Sequence, residues 1–326
     1  MSMKKIGIGI VVLIILSCTS VNVSGDNTPM IANIVFSSAS EAKEHLKTDD
    51  LFLRSLSAFD RAARLRTSRV VDMEEFVKFI SQQTLDWTVQ EKKTIDNVMI
   101  RVNRALSEFN MHFPDEIILI KTTGLEEGNA AYCRGNNIIV FPEEFLNLPF
   151  DRLYGIMLHE LFHIFTRNNR EIQEELFGIL SFFRASELQL PDDIFQWKIT
   201  NPDAVENNYY FTGNINGNEY KLMPILLASS NYDENRGGRF FDYLGLYFIA
   251  VYEDGDKTIP LSVDDGYVIF TPNQVPDYLN IVGRNTNYII HPEEVLADNF
   301  VLLVNNARNL PNMEIIEKMK LILKRP

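Results

Sequence analysis

The chain has 326 residues, 46% hydrophobic and 23% charged, ordinary proportions for a globular protein able to bury a sizeable core in one domain or two. A net charge of -13 and a pI near 4.9 repel phosphate backbones. No block of Lys and Arg interleaved with aromatic residues offsets that charge, so nucleic acid is excluded as a partner.

Residues 1–17 have the form of an export signal: Lys4 and Lys5 precede an uncharged run from Ile6 to Leu16, too short to span a bilayer comfortably, and Ser17 follows it. Ile15-Leu16-Ser17-Cys18 resembles the lipobox of bacterial lipoproteins. That resemblance implies cleavage before Cys18, lipidation of Cys18, and an exported chain anchored to a bacterial membrane or cell surface by lipid alone; a secreted or periplasmic chain is the alternative. Cys133 is then without a partner and is expected to be a packed thiol.

Residues 18–37 are predicted to form a flexible tether, rich in Ser, Thr, Asn and Gly, with the fold beginning near Ser38. From 38 to 112 the apolar residues recur at helical spacing, predicting a helical N-terminal region whose clearest caps are Asp72 and the Thr88/Glu91 box. The period then shortens. Ile117 to Ile120 predicts a strand, and Ala130 to Cys133 with Asn137 to Phe141 predicts a hairpin around Arg134-Gly135-Asn136. Asp151 is the expected N-cap of the next helix. Short aromatic and apolar runs between about 205 and 285 predict a mostly β insertion, and helices are expected from Pro292 to about Asn306 and from Met313 to Leu323.

The chemistry concentrates in His159-Glu160-Leu161-Phe162-His163. On a helix, positions i and i+4 share a face, so His159 and His163 can address one metal ion while Glu160 flanks them. The helix is apolar on every side, and imidazoles and a carboxylate in such surroundings cost several kcal/mol each unless paired or metal-bound, which favours a zinc site over a packing role.

Catalytic zinc takes three protein ligands and leaves a position open. Glu294 and Asp298 are spaced i, i+4 on a helix with an apolar opposite face, so Glu294 is the expected third ligand and Asp298 the acceptor for the free N–H of a ligating His. Glu175 is the main rival, with Glu293 and His291 behind it.

HExxH followed by a helical Glu294-xxx-Asp298 resembles the zincin metallopeptidases of the gluzincin group, which includes thermolysin. Asn129-Ala130-Ala131-Tyr132, 30 residues before His159, is similar to the edge strand with which those enzymes pair a substrate backbone. The resemblance rests on motifs: Glu294 lies 131 residues after His163, a far longer separation than in thermolysin-like enzymes.

It implies an α+β zincin-like catalytic domain over 113–326, Zn²⁺ as cofactor, and a peptide or protein substrate cleaved as by an endopeptidase. Glu160 then serves as general base toward a zinc-activated water, and Tyr288 or His291 stabilises the oxyanion. Two other classes remain open at this stage: an exported binding or assembly lipoprotein that keeps the fold without hydrolysis, and a zinc hydrolase of a non-peptide amide.

Overall fold

A computed structural model describes residues 30–325; the segment expected to be an export signal, with Cys18, lies outside the described residues. In chain order the elements are β1 (Asn33–Phe36), α1 (Ala39–Lys47), α2 (Leu51–Arg54), α3 (Ala58–Arg64), α4 (Met73–Ser81), β2 (Thr84–Leu85), α5 (Val89–Leu106), β3 (Glu116–Thr122), β4 (Tyr132–Arg134) and β5 (Ile138–Pro142). There follow α6 (Phe150–Asn168), α7 (Arg170–Ile179), β6 (Phe183–Arg184), α8 (Asp192–Phe195), β7 (Tyr209–Ile215), β8 (Asn218–Ala228), β9 (Leu244–Asp254), β10 (Lys257–Pro260), β11 (Ser262–Val263), β12 (Gly266–Tyr267) and β13 (Ile269–Phe270). Helices α9 (Tyr278–Val282), α10 (Pro292–Val304) and α11 (Met313–Leu323) close the chain. The architecture is mixed α+β, and no described helix is long and apolar enough to cross a membrane.

The first sheet runs β1-β3-β5-β4, with β1, β3 and β5 parallel, β4 antiparallel at the edge, and β2 antiparallel on the end of β3. Side chains alternate across it as the period of two requires. Ile117, Leu119, Ile139, Phe141 and Cys133 face the large core that holds α5 and α6, while Ile120, Val140 and Tyr132 face Leu46, Phe52 and Phe76 of the early helices. The sheet is therefore sandwiched between helices, and Cys133 on its edge strand is turned toward α6.

This arrangement corrects three expectations. Asn33–Phe36 lies within the stretch expected to be a tether, yet it pairs in parallel with β3. The helical region over 38–112 is not a separate body, because β1 and β2 share a sheet with β3. Asp151 does not cap α6: the N-cap position is Pro149, without a side-chain bond. Asp151 sits in the first turn and pairs with Arg101 at 2.5 Å, an acid placed near the positive end of the helix. Asp72 and the Thr88/Glu91 box do cap α4 and α5.

Between residues 205 and 285 lie strands β7 to β13 and helix α9; with β6 from upstream they include a separate pair β11-β12 and an antiparallel sheet in the order β10-β9-β8-β7-β6, with β13 also on β9. Its inner face contributes Phe211, Leu222, Phe248 and Ala250 to the large core. The segment entering that sheet, residues 197–204, joins its border: the Ile199 N–H donates to Leu226 O and the Ala228 N–H to Trp197 O, both at 2.8 Å.

Candidate metal centre

Helix α6 positions the central groups. Leu161, Phe162, Ile164 and Phe165 are each fully buried, and every such side chain contributes on the order of 1.5–3 kcal/mol. That apolar environment surrounds His163, which is 0% exposed, and Glu160, which is 4% exposed. Helix α10 packs across α6 and brings its acidic face to the imidazoles.

His159 Nε2 lies 3.1 Å from Glu294 Oε2, and His163 Nε2 lies 3.5 Å from the same oxygen. Donors about 2.0–2.2 Å from a tetrahedral ion stand roughly 3.3–3.5 Å apart, so these separations suit one zinc. His163 Nε2 is buried and has no hydrogen-bond partner among the described residues, the signature expected of an atom reserved for a metal.

The other nitrogen of each ring is held. His159 Nδ1 is 3.1 Å from Asp298 Oδ1, and His163 Nδ1 is 3.1 Å from Glu293 Oε1. A carboxylate behind each imidazole fixes its tautomer and raises its basicity. Glu293 is itself fixed by Thr166 Oγ1 at 2.5 Å and Gln173 Nε2 at 3.1 Å, Asp298 by Thr286 Oγ1, and Glu294 Oε1 by Asn201 Nδ2 at 2.6 Å. Glu294 thus offers its second oxygen to the ion. With both rings deprotonated, as metal binding requires, the donor set of two imidazoles and one carboxylate fits Zn²⁺.

Electrostatics follow from this packing. Burial pushes His159 down, but hydrogen bonds to Asp298 and Glu294 overcome it and raise its pKa to about 10. Burial pushes Glu294 up, yet the His163 charge and the hydrogen bond to His159 hold it well below the usual carboxylate range. Glu160 is raised to about 7 by burial and by the neighbouring Asp203, with the histidines pulling the other way. A carboxylate near neutrality suits a general base.

Glu160, Cys133 and Asp203 form a second cluster, with one donor atom from each within 4.8 Å of the others. Cys133 Sγ approaches Glu160 Oε2 at 3.4 Å, and the Cys133 N–H donates to Asp203 Oδ1 at 2.8 Å. Burial, the Glu160 charge and Asp203 push the thiol well up, so it stays protonated and packed.

Of the two expected oxyanion stabilisers, Tyr288 lies at the site, its ring centroid 6.3 Å from that of His159. Burial and then Glu294 raise its pKa well above the ordinary phenol value, so it remains an O–H donor. His291 is occupied elsewhere. It caps α10 by accepting the Glu293 N–H at Nδ1 over 3.1 Å and packs on Phe177, and burial lowers its pKa to about 4. The rival Glu175 is exposed on α7 and paired with Arg325 at 2.8 Å.

The expected edge strand is shorter than Asn129 to Tyr132. Asn129 has φ 63°, its N–H bonds Gly124 O at 2.8 Å, and it closes a turn with Ala130 before β4 starts at Tyr132. Ala130, Ala131 and Tyr132 nevertheless line a small cleft with Asn201, Asp203 and Tyr288.

Sequence reasoning missed Glu293 as the partner of His163, and it missed Asn201 and Asp203 altogether. Glu293 left a faint trace as an acid beside Glu294. The loop residues carry no periodic or motif signal. Comparisons with protein families, curated proteins and solved structures returned no match, so the functional argument rests on this geometry.

Proposed function

We propose that this protein is an exported zinc-dependent metallopeptidase of zincin type, gluzincin-like in its ligands, tethered through a lipid on Cys18. The observation that carries the reading is the convergence of His159 Nε2, His163 Nε2 and Glu294 Oε2, each histidine backed by its own carboxylate. A peptide substrate rests on the resemblance in the ligand motif and not on β4, whose outward N–H at Cys133 is bonded to Asp203 Oδ1.

His159, His163 and Glu294 would hold a zinc ion, which would supply Lewis acidity toward a scissile carbonyl and a water. Glu160 takes the proton of the attacking water and passes it to the leaving amine, one carboxylate serving both steps. Tyr288 donates its O–H to the developing oxyanion. Asp298 and Glu293 keep the imidazoles oriented and basic.

The test is zinc analysis of the purified full chain together with cleavage of a mixed peptide library, with and without chelator, for the wild type and Glu160→Gln. The expected outcome is one zinc per chain in both proteins, chelator-sensitive cleavage by the wild type, and turnover at least about 10³-fold lower in the variant. A fully active Glu160→Gln protein removes the base assignment, and a chain that binds no zinc removes the reading as a whole.

A further inference from the structure

A cavity of about 160 Å³ lies between the start of α2, the turn joining β4 to β5, the corner of α6 and α7, and residues 202–209. One water needs only about 10–15 Å³, so there is room for a small ligand. Residues 198–204 form a strap between this cavity and the cleft beside Tyr288, with Pro202 and Asp203 lining both.

Arg134 stands at the α2 end of the cavity. Side chains alternate along β4, so Arg134 leaves the strand on the face opposite Cys133, whose thiol meets Glu160. Its Nε donates to Asp50 Oδ2 at 2.8 Å, and its guanidinium carbon lies 4.8 Å from the centre of the Phe52 ring. Asp50 and Phe52 both line the cavity, which places the head of the side chain there. Arg134 is 3% exposed, yet its Nη1 and Nη2 have no hydrogen-bond partner among the described residues. A guanidinium is a planar fork of five N–H donors, and here only the one on Nε is used. Buried donors left unpaired are destabilising and call for an occupant.

The other charges of the wall are spent on one another. Asp50 Oδ1 accepts the Leu53 N–H at 3.0 Å, and Asp203 accepts the Cys133 N–H at 2.8 Å and lies 3.6 Å from Arg167. Arg167 also donates to the carbonyls of Gly135 and Pro202, Arg170 pairs with Glu206, and Glu293 is met by His163, Thr166 and Gln173. Arg134, Arg167 and Arg170 thus face four carboxylates, and each carboxylate already has a donor. The selection is therefore one of hydrogen bonding rather than of overall field. Unspent donors remain at Arg134 and at Tyr209, whose buried hydroxyl has no partner among the described residues and whose side chain belongs to the same wall.

We propose that this cavity binds an oxyanion, a carboxylate or a phosphate, gripped by Arg134 through Nη1 and Nη2 together. Two parallel N–H···O bonds are what the edge of a guanidinium is shaped to make, and an oxyanion brings two oxygens to it where a lone carbonyl brings one. The site is separate from the metal centre and does not depend on the metallopeptidase reading. Because the strap borders both clefts, the oxyanion has two sources: a small free anion, or a carboxylate carried by a peptide that crosses the strap.

The experiment uses the full chain kept free of metal, so that zinc holds no anion, at constant ionic strength in chloride. The probes are inorganic phosphate, succinate, and peptide pairs in which one carboxylate is either free or amidated. Saturable binding is expected by calorimetry, with a raised thermal midpoint. Arg134→Lys keeps a positive charge beside Asp50 but lacks the two-pronged edge, and should weaken that binding at least about tenfold. Binding of phosphate and succinate without discrimination between paired peptides assigns a free anion. Tighter binding of the free-carboxylate peptide, with phosphate competing, assigns a carboxylate borne by the substrate. No saturable binding of any probe, or equal binding by Arg134→Lys, overturns the proposal and leaves water in the cavity. Should Arg134→Lys not fold, arginine side-chain NMR of the wild type decides: saturating phosphate must shift the Arg134 Nε–H signal, and an unmoved signal overturns the site. Zinc content and peptide cleavage answer the metallopeptidase reading separately.

Discussion

The two walls of the site are built on opposite principles. On one side, α6 and α10 present histidines and carboxylates that satisfy one another in pairs and point three donor atoms at one spot. On the other, residues 198–204 carry no metal ligand and are held through the Asp60, Arg64 and Glu127 cluster, whose side chains are almost wholly buried. On the proposed reading the first wall takes its cation as zinc; the second carries its own cation in Arg64. A buried carboxylate needs such a partner in either case, and the source of that partner separates a binding surface from a brace.

Removing the internal cation should give the largest stability change. Arg64→Met leaves Asp60 and Glu127 buried without their counter-charge, and a loss of about 3–5 kcal/mol is expected in urea unfolding, with zinc-dependent activity falling in the protein that remains folded because Asn201 and Asp203 lose their support. A loss under about 1 kcal/mol would mean that the cluster does not brace the strap.

The same wall holds a carboxylate without a cation, which makes its contribution depend on pH. Burial raises Glu126 to about 7 from an ordinary value of 4.5, against a 2.5 Å bond from Thr122 Oγ1. Its Oε2 has no partner among the described residues. Between about pH 4.5 and 7 the unfolded chain has lost this proton while the native chain keeps it, so its contribution to stability falls as pH rises through that window. Glu126→Gln should flatten this part of the stability profile and gain on the order of 1–3 kcal/mol at pH 8 relative to pH 5. An unchanged slope in the variant would show that Glu126 ionises freely in the native protein.

On the metal wall the effect should be smaller in stability and visible in affinity. Glu293→Gln keeps the size of the side chain and one acceptor oxygen for Thr166 and His163, while removing the negative charge behind His163 and the oxygen that accepts from Gln173. Zinc affinity, measured by competition with a chelator, is expected to fall about 10–100-fold with little change in the unfolding of the metal-free protein. An unaltered affinity would make Glu293 a packing residue and leave Asp298 as the sole carboxylate orienting a ligand.

Much of the metal wall was legible in the sequence because its geometry is local to two helices. The spacing of His159 and His163 on one face, and of Glu294 and Asp298 on another, is set by 3.6 residues per turn whatever the rest of the chain does. The same locality made the caps of α4 and α5 readable, and the uniform apolar surface of α6 announced its burial. Asp151 misled because the backbone turn at Pro149, two residues earlier, sets the helix start and leaves Asp151 inside the first turn.

The sequence by itself determined which side chains can share a helix face and hence which atoms can ligate one ion. Only the tertiary structure decided that Glu293 backs His163, that His291 is spent as a cap, that Asn33–Phe36 joins the sheet, and that Asp203 closes the edge of β4 from 70 residues away. Three of these four join segments far apart in the chain, which impose no period on it, while the His291 cap is a local bond that no spacing announces.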